Sequence, residues 1–149
     1  MTDFRKLLVA NRGEIALRVF RAAATLGMTT IGVYSADDAD SLHVSRCDET
    51  VLLPGTGAAA YLDVAAVVGA ARQAGADSLH PGYGFLSESA ALARACADAG
   101  LAFVGPAPEA LQTFGDKGAA RELAADHGVP VVPGTSAATT LPEMEKFVR

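Results

Sequence analysis

Short apolar runs alternate with longer amphipathic segments along most of the chain. The runs Leu7–Ala10 and Thr30–Tyr34 have the length and composition of buried strands. Between them apolar residues recur at helical spacing, at Ile15, Val19, Ala22 or Ala23, and Leu26. Gly27 follows, where the end of a helix favours a left-handed residue. The order of these segments predicts a βαβ unit.

The same alternation continues through the middle of the chain and predicts three more strands, at Glu49–Leu53, Ser78–His80 and Ala102–Val104. The segments between them predict helices at Tyr61–Ala74 and Ser89–Ala99, closed by Gly75 and Gly100. Strands that alternate with helices of this length need crossover connections and therefore run parallel. The pattern predicts an α/β fold with a doubly wound parallel sheet of four or five strands.

The pattern changes after Pro108. It predicts a short helix at Glu109–Phe114 and a second at Asp116–His127, and the segment 129–134 is too rich in proline for a central strand. The last segment, Leu141–Arg149, predicts an amphipathic helix without a cap. We therefore expect the chain to be the front part of a longer protein.

Composition narrows the class of protein. The chain has 149 residues, is 50% hydrophobic and 19% charged, and carries a net charge of −5 with 12 basic and 17 acidic residues. This balance is globular and argues against a nucleic-acid or membrane partner, although a small anionic ligand stays possible. The amino terminus predicts no signal peptide or membrane span, so we expect a cytoplasmic protein. Cys47 and Cys96 lack the spacing of a metal or redox site and predict idle thiols.

Three loops follow predicted strands, at residues 11–14, 55–60 and 80–88, where open parallel sheets bind their ligands. The second, residues 55–60, matches the dinucleotide fingerprint G-x-G-x-x-A. However, Asp77 precedes its strand, so we expect it at the edge opposite to the one a ribose-binding acid must occupy. We favour a surface connection over an NAD site.

The first loop leads into the first predicted helix. Gly13 places free amide groups and the positive end of the helix dipole where an anion can bind. Polar side chains then share one helical face, at Glu14, Arg18, Arg21 and Thr25. This face predicts either a solvated surface with a Glu14–Arg18 pair or a subunit contact through Arg21.

The third loop follows the strand that ends at His80. Pro81 stops that strand, and Gly82 and Gly84 can take positive φ and let another molecule approach the main chain. Tyr83 is then either held out in a defined direction or packed with Phe85 as a core aromatic. We interpret this loop as the strongest candidate for a binding surface.

Helix starts supply further candidates. Ser87 and Glu88 predict the beginning of the helix after the third loop. Asp116 predicts an N-cap and places Lys117 at the first helical position, where a cation is unfavourable unless an anion shares the site. Lys117 is therefore either a donor to a nucleotide phosphate or an ordinary exposed lysine.

Four stretches follow one another along the chain: KLLVANRGEIALRVFRAA, HPGYGFLSE, FVGP, and GDK followed by GVPVVPGT. In this order they resemble the amino-terminal region of biotin carboxylases. These are the ATP-grasp components of biotin-dependent carboxylases, and the resemblance covers essentially the whole chain. It implies a Rossmann-like pre-ATP-grasp domain at residues 1–114, followed by the truncated start of an ATP-grasp domain at residues 115–149.

The resemblance also implies a reaction. In that family MgATP and bicarbonate form carboxyphosphate, and its CO2 is transferred to biotin on a carrier protein or domain, which feeds a carboxyltransferase. Lys117 would contact ATP, Tyr83 and Gly84 would line the biotin side of the site, and Arg21 would lie in a homodimer interface. Gly118 departs from the larger residue often found after GDK. The family's catalytic residues and metal ligands lie beyond Arg149, so we expect no catalytic residue and no metal site in this fragment, and no activity from it alone.

Two other functions stay open at this point. The chain could be a non-catalytic structural or dimerisation module, or the first domain of another ATP-grasp ligase, although such a ligase should lack HPGYGFLSE in this form. The final carboxyl acceptor is not fixed, because carboxylases of acetyl-, propionyl-, longer acyl- and methylcrotonyl-CoA, pyruvate and urea share this region.

Overall fold

The computed structural model describes residues 4–134 and 140–148. The chain forms two compact units, Met1–Pro108 and Glu109–Arg149. The first unit contains all the strands, and the second consists of helices and connecting segments among its described residues.

The first unit is built on a five-stranded parallel sheet. Its strands are β1 (Lys6–Val9), β2 (Thr29–Tyr34), β3 (Glu49–Leu52), β4 (Ser78–His80) and β5 (Ala102–Phe103). They lie in the order β3-β2-β1-β4-β5, and each neighbouring pair is parallel. The predicted doubly wound α/β fold is confirmed. The order reverses between β1 and β4, which is the switch point where such sheets bind ligands.

Helices cover both faces of the sheet. Helix α1 (Gly13–Thr25) packs Phe20 and other apolar residues against Leu7 and Val9 of β1. Helices α3 (Val64–Gln73) and α4 (Ala90–Asp98) pack on the opposite face, with Leu8 of β1. This division follows from the alternation of side chains along β1, since successive residues point to opposite faces of a strand.

Several predicted boundaries of the first unit were wrong. The helix predicted at Tyr61–Ala74 begins at Val64, because the Asp63 carboxylate caps it by accepting from the Ala66 amide at 3.0 Å. The loop 55–60 contains a short helix, α2 (Gly57–Ala60), which leads into a fully buried Tyr61.

Two further predicted positions near helix ends were wrong. Helix α4 is capped by Ser89, whose hydroxyl accepts from the Leu92 amide at 3.1 Å, whereas Ser87 and Glu88 precede it in a turn. Leu26 is 77% exposed because α1 has already ended there, and Gly27 turns the chain away with a φ of 72°.

The second unit contains helices α5 (Pro108–Gly115, which begins at the unit boundary), α6 (Lys117–Asp126) and α7 (Leu141–Val148). Residues 129–134 form no strand, as their prolines predict. The end predicted for the last helix, Arg149, lies outside the described residues. Across residues 4–134 and 140–148, no helix has both the length and the apolar character needed to cross a membrane.

Candidate functional site

Side chains from four loops meet at the edge of the sheet where β1, β2, β3 and β4 end. The loop after β1 supplies Asn11 and Arg12, and the loop after β2 supplies Asp38. Tyr61 comes from the connection after β3, and Phe85 from the loop after β4. Parallel strands end at a common edge, so the topology brings together residues that lie up to 74 positions apart in sequence.

Asn11 joins the loops after β1 and β4 across the switch point. It is only 2% exposed, and its Nδ2 donates to the carbonyl oxygens of Pro81 and Tyr83 at 2.8 Å each. Its Oδ1 accepts from the Arg12 amide at 2.9 Å. The buried amide therefore uses both of its donor hydrogens on the third loop.

The third loop has an unusual backbone, with a φ of 69° at Gly82, 63° at Gly84 and 44° at Phe85. The Gly82 amide donates to Nδ1 of His80 at 2.9 Å. Burial lowers the pKa of His80, which favours the neutral ring that this hydrogen bond requires. Tyr83 is 64% exposed, so the loop holds it out rather than packing it in the core.

Arg12 forms the centre of a second cluster at the same edge. Its Nη1 lies 2.7 Å from Oδ2 of Asp38. Its guanidinium carbon lies 5.3 Å from the ring centre of Tyr61 and 5.7 Å from that of Phe85. The two rings stack on each other, with centres 5.3 Å apart and planes inclined by 21°. Arg12 therefore links Asp38 to the third loop through ionic and cation–π contacts.

Asp38 is held as a carboxylate by several donors. Burial opposes its charge, but hydrogen bonds from Arg12 and from the Tyr61 hydroxyl, the latter at 2.8 Å, outweigh burial and lower the pKa of Asp38 to about 2. Burial, together with the bond to Asp38, raises the pKa of Tyr61 to about 12. The cluster thus keeps its charges and its phenol proton fixed across the physiological pH range.

The fingerprint loop at residues 55–60 does not form a dinucleotide site of the expected kind. Asp77 accepts from the amides of Arg5 and Lys6, at the start of β1, so it lies at the amino edge of the sheet, as its position in the sequence predicts. The Gly57 amide donates to the Asp37 carboxylate at 2.8 Å. The amide at the start of α2 is therefore already bonded to a carboxylate of the chain itself.

Helix α1 exposes a partly paired basic face. Arg18 and Glu14 form the predicted ion pair at 3.1 Å, with both side chains more than half exposed. Arg21 is exposed and forms no ion pair with any other described residue. It borders a surface cavity of about 350 Å³ whose wall includes Leu17, Phe20, Leu42 and Arg46.

Lys117 lies in the second unit, at the first position of α6. Asp116 is the N-cap of this helix, as predicted, and its Oδ1 accepts from the Ala119 amide at 2.9 Å. The exposed lysine thus stands beside the free amides at the start of a helix, a combination that fits a phosphate group.

The sequence pattern led to the third loop, but not to the groups that hold it. Asn11 lies in the first loop, where the sequence indicates only Gly13, and no sequence pattern indicates Asp38 or Tyr61 as part of the site. The available signal for Asn11 was its place directly after the first strand of a doubly wound sheet, next to the switch point.

Comparison with known proteins identifies the family. Residues 3–111 match the model of the biotin carboxylase N-terminal domain. A putative urea carboxylase of Emericella nidulans is 51% identical over 94% of this chain and 11% of its own length. A biotin carboxylase of Halalkalibacterium halodurans is 48% identical over 91% of this chain and 30% of its own length.

Solved structures agree. The biotin carboxylase domain of a single-chain bacterial carboxylase is 58% identical, with a TM-score of 0.92 over 97% of this chain and 34% of that chain. The biotin carboxylase domain dimer of Hydrogenobacter thermophilus 2-oxoglutarate carboxylase, in complex with MgADP, ADP and bicarbonate, is 38% identical, with a TM-score of 0.93 over 97% of this chain and 32% of that chain. The chain spans about a third or less of these proteins, and it belongs to the family of biotin carboxylase N-terminal domains.

Proposed function

We propose that these residues act as the amino-terminal part of an ATP-dependent biotin carboxylase. The complete enzyme uses MgATP and bicarbonate to carboxylate biotin on a carrier protein or domain, and a carboxyltransferase then uses the product. In this proposal residues 1–114 form the pre-ATP-grasp domain and residues 115–149 begin the ATP-grasp domain. We expect the enzyme to act in the cytoplasm, and its final carboxyl acceptor stays open.

One observation carries the biotin side of this proposal. Tyr83 is 64% exposed on a loop whose main chain is fixed from beneath by Asn11, at the switch point of the sheet. A buried amide and left-handed glycines hold the tyrosine in one direction, which is the arrangement of a preorganised binding surface. Tyr83 and Gly84 would line the part of the active site that receives biotin.

Replacement of Tyr83 by alanine tests this assignment in the full-length enzyme. Biotin-dependent turnover should fall by about tenfold or more relative to biotin-independent ATP cleavage, because a lost contact worth about 1.4 kcal/mol lowers the rate by this factor. Steady-state rates with and without biotin measure this ratio. An equal fall in both rates would show structural damage and remove Tyr83 from the biotin site.

Lys117 carries the nucleotide side of the proposal. Its position at the first turn of α6 places a cation beside free amides, where a phosphate of ATP can accept from both. Lys117→Ala in the full-length enzyme should raise the KM for ATP by about tenfold or more, since a charged hydrogen bond contributes about 1.5 to 3 kcal/mol. Initial rates at varied ATP measure the change, and an unchanged KM would remove Lys117 from the site.

The isolated 149-residue chain should bind ATP weakly and have no carboxylase activity. One charged hydrogen bond of about 1.5 to 3 kcal/mol falls well short of the roughly 8 kcal/mol that micromolar binding requires. Isothermal titration calorimetry should therefore give a Kd in the millimolar range or weaker. Micromolar affinity would show that the nucleotide site is largely contained in this segment.

A contribution to dimer formation is the second proposed role. Arg21 is exposed beside a surface cavity and has no ionic partner in the described part of the chain, whereas Arg18 on the same helix is paired with Glu14. Arg21→Glu should therefore shift the full-length enzyme toward monomer in light scattering, and Arg18→Glu serves as the control. Light scattering of the isolated chain would show whether α1 suffices for pairing.

A further inference from the structure

Asn11 donates hydrogen bonds to two carbonyl oxygens of the third loop at once, which few side chains can do. Its two amide hydrogens go to the carbonyl oxygens of Pro81 and Tyr83, both at 2.8 Å, on either side of Gly82. Its own carbonyl oxygen is occupied by the Arg12 amide at 2.9 Å, which fixes the orientation of the side-chain amide. Only an amide of this length offers two donors and one acceptor at these places.

The backbone conformation of the third loop costs free energy and needs support from neighbouring residues. Gly82, Gly84 and Phe85 all have positive φ, which for Phe85 is unusual because it carries a side chain. Pro81 has no amide hydrogen to contribute. The Gly82 amide bonds to the side chain of His80, the last residue of β4, and the contacts of Asn11 tie the segment 81–83 to the chain that follows β1.

The third loop packs tightly against Asn11 at Gly82. A β-carbon added at Gly82 would lie 2.6 Å from Nδ2 of Asn11 and 3.0 Å from its Cβ. Arg12, the next residue, stacks beside the ring of Phe85 at 5.7 Å and supports the far side of the same loop. Two consecutive residues after β1 therefore hold the loop on both sides of Tyr83.

We propose that Asn11 is a positioning residue for carboxylation of biotin: it touches no substrate and acts by fixing the direction in which Tyr83 faces biotin. This inference rests on the proposed role of Tyr83. It predicts that a substitution at Asn11 impairs the biotin-dependent reaction. It also predicts that this effect and the effect of a substitution at Tyr83 do not add.

The sharpest test is Asn11→Asp in the full-length enzyme. The variant keeps the shape of the side chain but turns a donor into a carboxylate oxygen that faces two carbonyl oxygens. The KM for biotin should rise by about tenfold or more, and biotin-dependent turnover should fall more than biotin-independent ATP cleavage. Equal effects on both reactions, or no effect, would overturn the proposal.

The pH profile supplies a second readout that general damage does not give. The introduced carboxyl is buried beside carbonyl oxygens, so its pKa is raised and its protonated form can again donate to one of them. The defect should therefore be largest at high pH and shrink as pH falls through the raised pKa. Arg12 stays charged in both proteins, and His80→Gln in both removes the titration of His80, so the ratio of variant to parent at each pH isolates the new group. A ratio that does not change with pH would contradict the proposal.

Val19→Ala is the control for stability, because Val19 is buried in α1 and packs in the apolar cluster on the opposite face of the sheet from the cluster that holds Leu86 of the third loop. It should leave the ratio of the two reactions unchanged. If Asn11→Asp does not fold, Asn11→Ser, which keeps one donor, should give the same selective defect in a smaller degree.

The double variant separates this inference from the proposed function. If Tyr83→Ala is selective and adding Asn11→Asp causes little further loss, both proposals hold. If Tyr83→Ala is selective but Asn11→Asp is not, only the role of Asn11 fails. If Tyr83→Ala itself is not selective, the proposed biotin surface fails first.

Discussion

Two loops of this chain carry a Gly-x-Gly sequence after a strand, and they are held in different ways. In the 55–60 loop, Gly55 and Gly57 have φ values of 91° and 63°, and in the third loop Gly82 and Gly84 have values of 69° and 63°. Yet the space around Gly57 is open, whereas Gly82 lies against Asn11. The same local pattern therefore serves a simple turn in one place and a close tertiary contact in the other.

The electrostatic surroundings of the two loops differ as well. The 55–60 loop receives one carboxylate, Asp37, which is exposed and bonds to the Gly57 amide. The third loop is supported through Arg12 by Asp38, which is partly buried and accepts from four side chains. Adjacent aspartates thus serve the two loops, and comparison of matched variants can measure how much more the third loop depends on tertiary contacts.

The largest difference is expected between Gly82→Ala and Gly57→Ala. Both introduce a side chain at positive φ, which costs about 1 to 2 kcal/mol. Gly82→Ala also displaces Asn11 and leaves the buried carbonyl oxygen of Pro81 without its donor, at a cost of about 1 to 3 kcal/mol. We expect losses of about 2 to 5 kcal/mol at Gly82 and about 1 to 2 kcal/mol at Gly57.

Urea unfolding followed by circular dichroism measures both free energies of unfolding. Equal losses for the two variants would show that the contact with Asn11 contributes little, and the comparison between the loops would then reduce to backbone conformation.

The next largest difference is expected between Asp38→Asn and Asp37→Asn. Asp38→Asn removes the charge that Arg12 and Tyr61 share and should destabilise the chain by about 1.5 to 3 kcal/mol, and Asp37→Asn should cost less because Asp37 is exposed. The same urea titration measures both. A larger loss at Asp37 would assign the main electrostatic support to the 55–60 loop.

The acid limb of stability offers a check on Asp38. Its pKa is lowered from 3.8 to about 2 in the folded chain, so the stability contributed by the ionised carboxylate is present above pH 4 and is lost as pH falls toward 2. Asp38→Asn should flatten this part of the profile of unfolding free energy against pH. A profile that keeps its slope would place the acid-sensitive group elsewhere.

The smallest expected effect is local and lies nearer neutral pH. The Gly82 amide donates to Nδ1 of His80, whose pKa is lowered by burial, so protonation of the ring removes the acceptor. The stability of this bond is present above the usual histidine pKa and is lost as pH falls through the lowered one. The Gly57 amide faces an aspartate whose pKa is also lowered, and it should not respond between pH 7 and 5.

Amide chemical shifts from NMR distinguish the two loops without a change in global stability. The Gly82 resonance should move with the titration of His80 and should lose this dependence in His80→Gln. If the Gly57 resonance moves equally, the titration reports a general change rather than a property of the third loop.

Local sequence signals predicted the scaffold well because they reflect local physics. Apolar runs predicted the five strands, and Asp116 predicted the cap of α6. Tyr61 was wrongly assigned to a helix because its apolar ring fits the helical pattern, whereas the structure buries it beneath the site with its hydroxyl on Asp38. Ser87 was wrongly predicted as the beginning of α4, because a serine two residues later, Ser89, has the same capping hydroxyl and provides the cap.

The site could be predicted only in part, for a different reason. Tyr83 and the glycines beside it could be selected because turn chemistry is written locally. Asn11 could not be predicted, since its role depends on carbonyl oxygens 70 and 72 residues away in sequence. Only the strand order brings these oxygens beside it. A contact between loops that follow different strands produces no periodic pattern in the sequence.

The unequal burial of the tyrosines also gives the chain an intrinsic optical probe. It contains three tyrosines and no tryptophan. Tyr61 is fully buried and Tyr34 half-buried, whereas Tyr83 is 64% exposed, so a collisional quencher such as acrylamide reaches the emission of Tyr83 first. The accessible fraction of tyrosine fluorescence therefore reports mainly on this side chain in the unlabelled chain, and a ligand that covers it should shield that fraction.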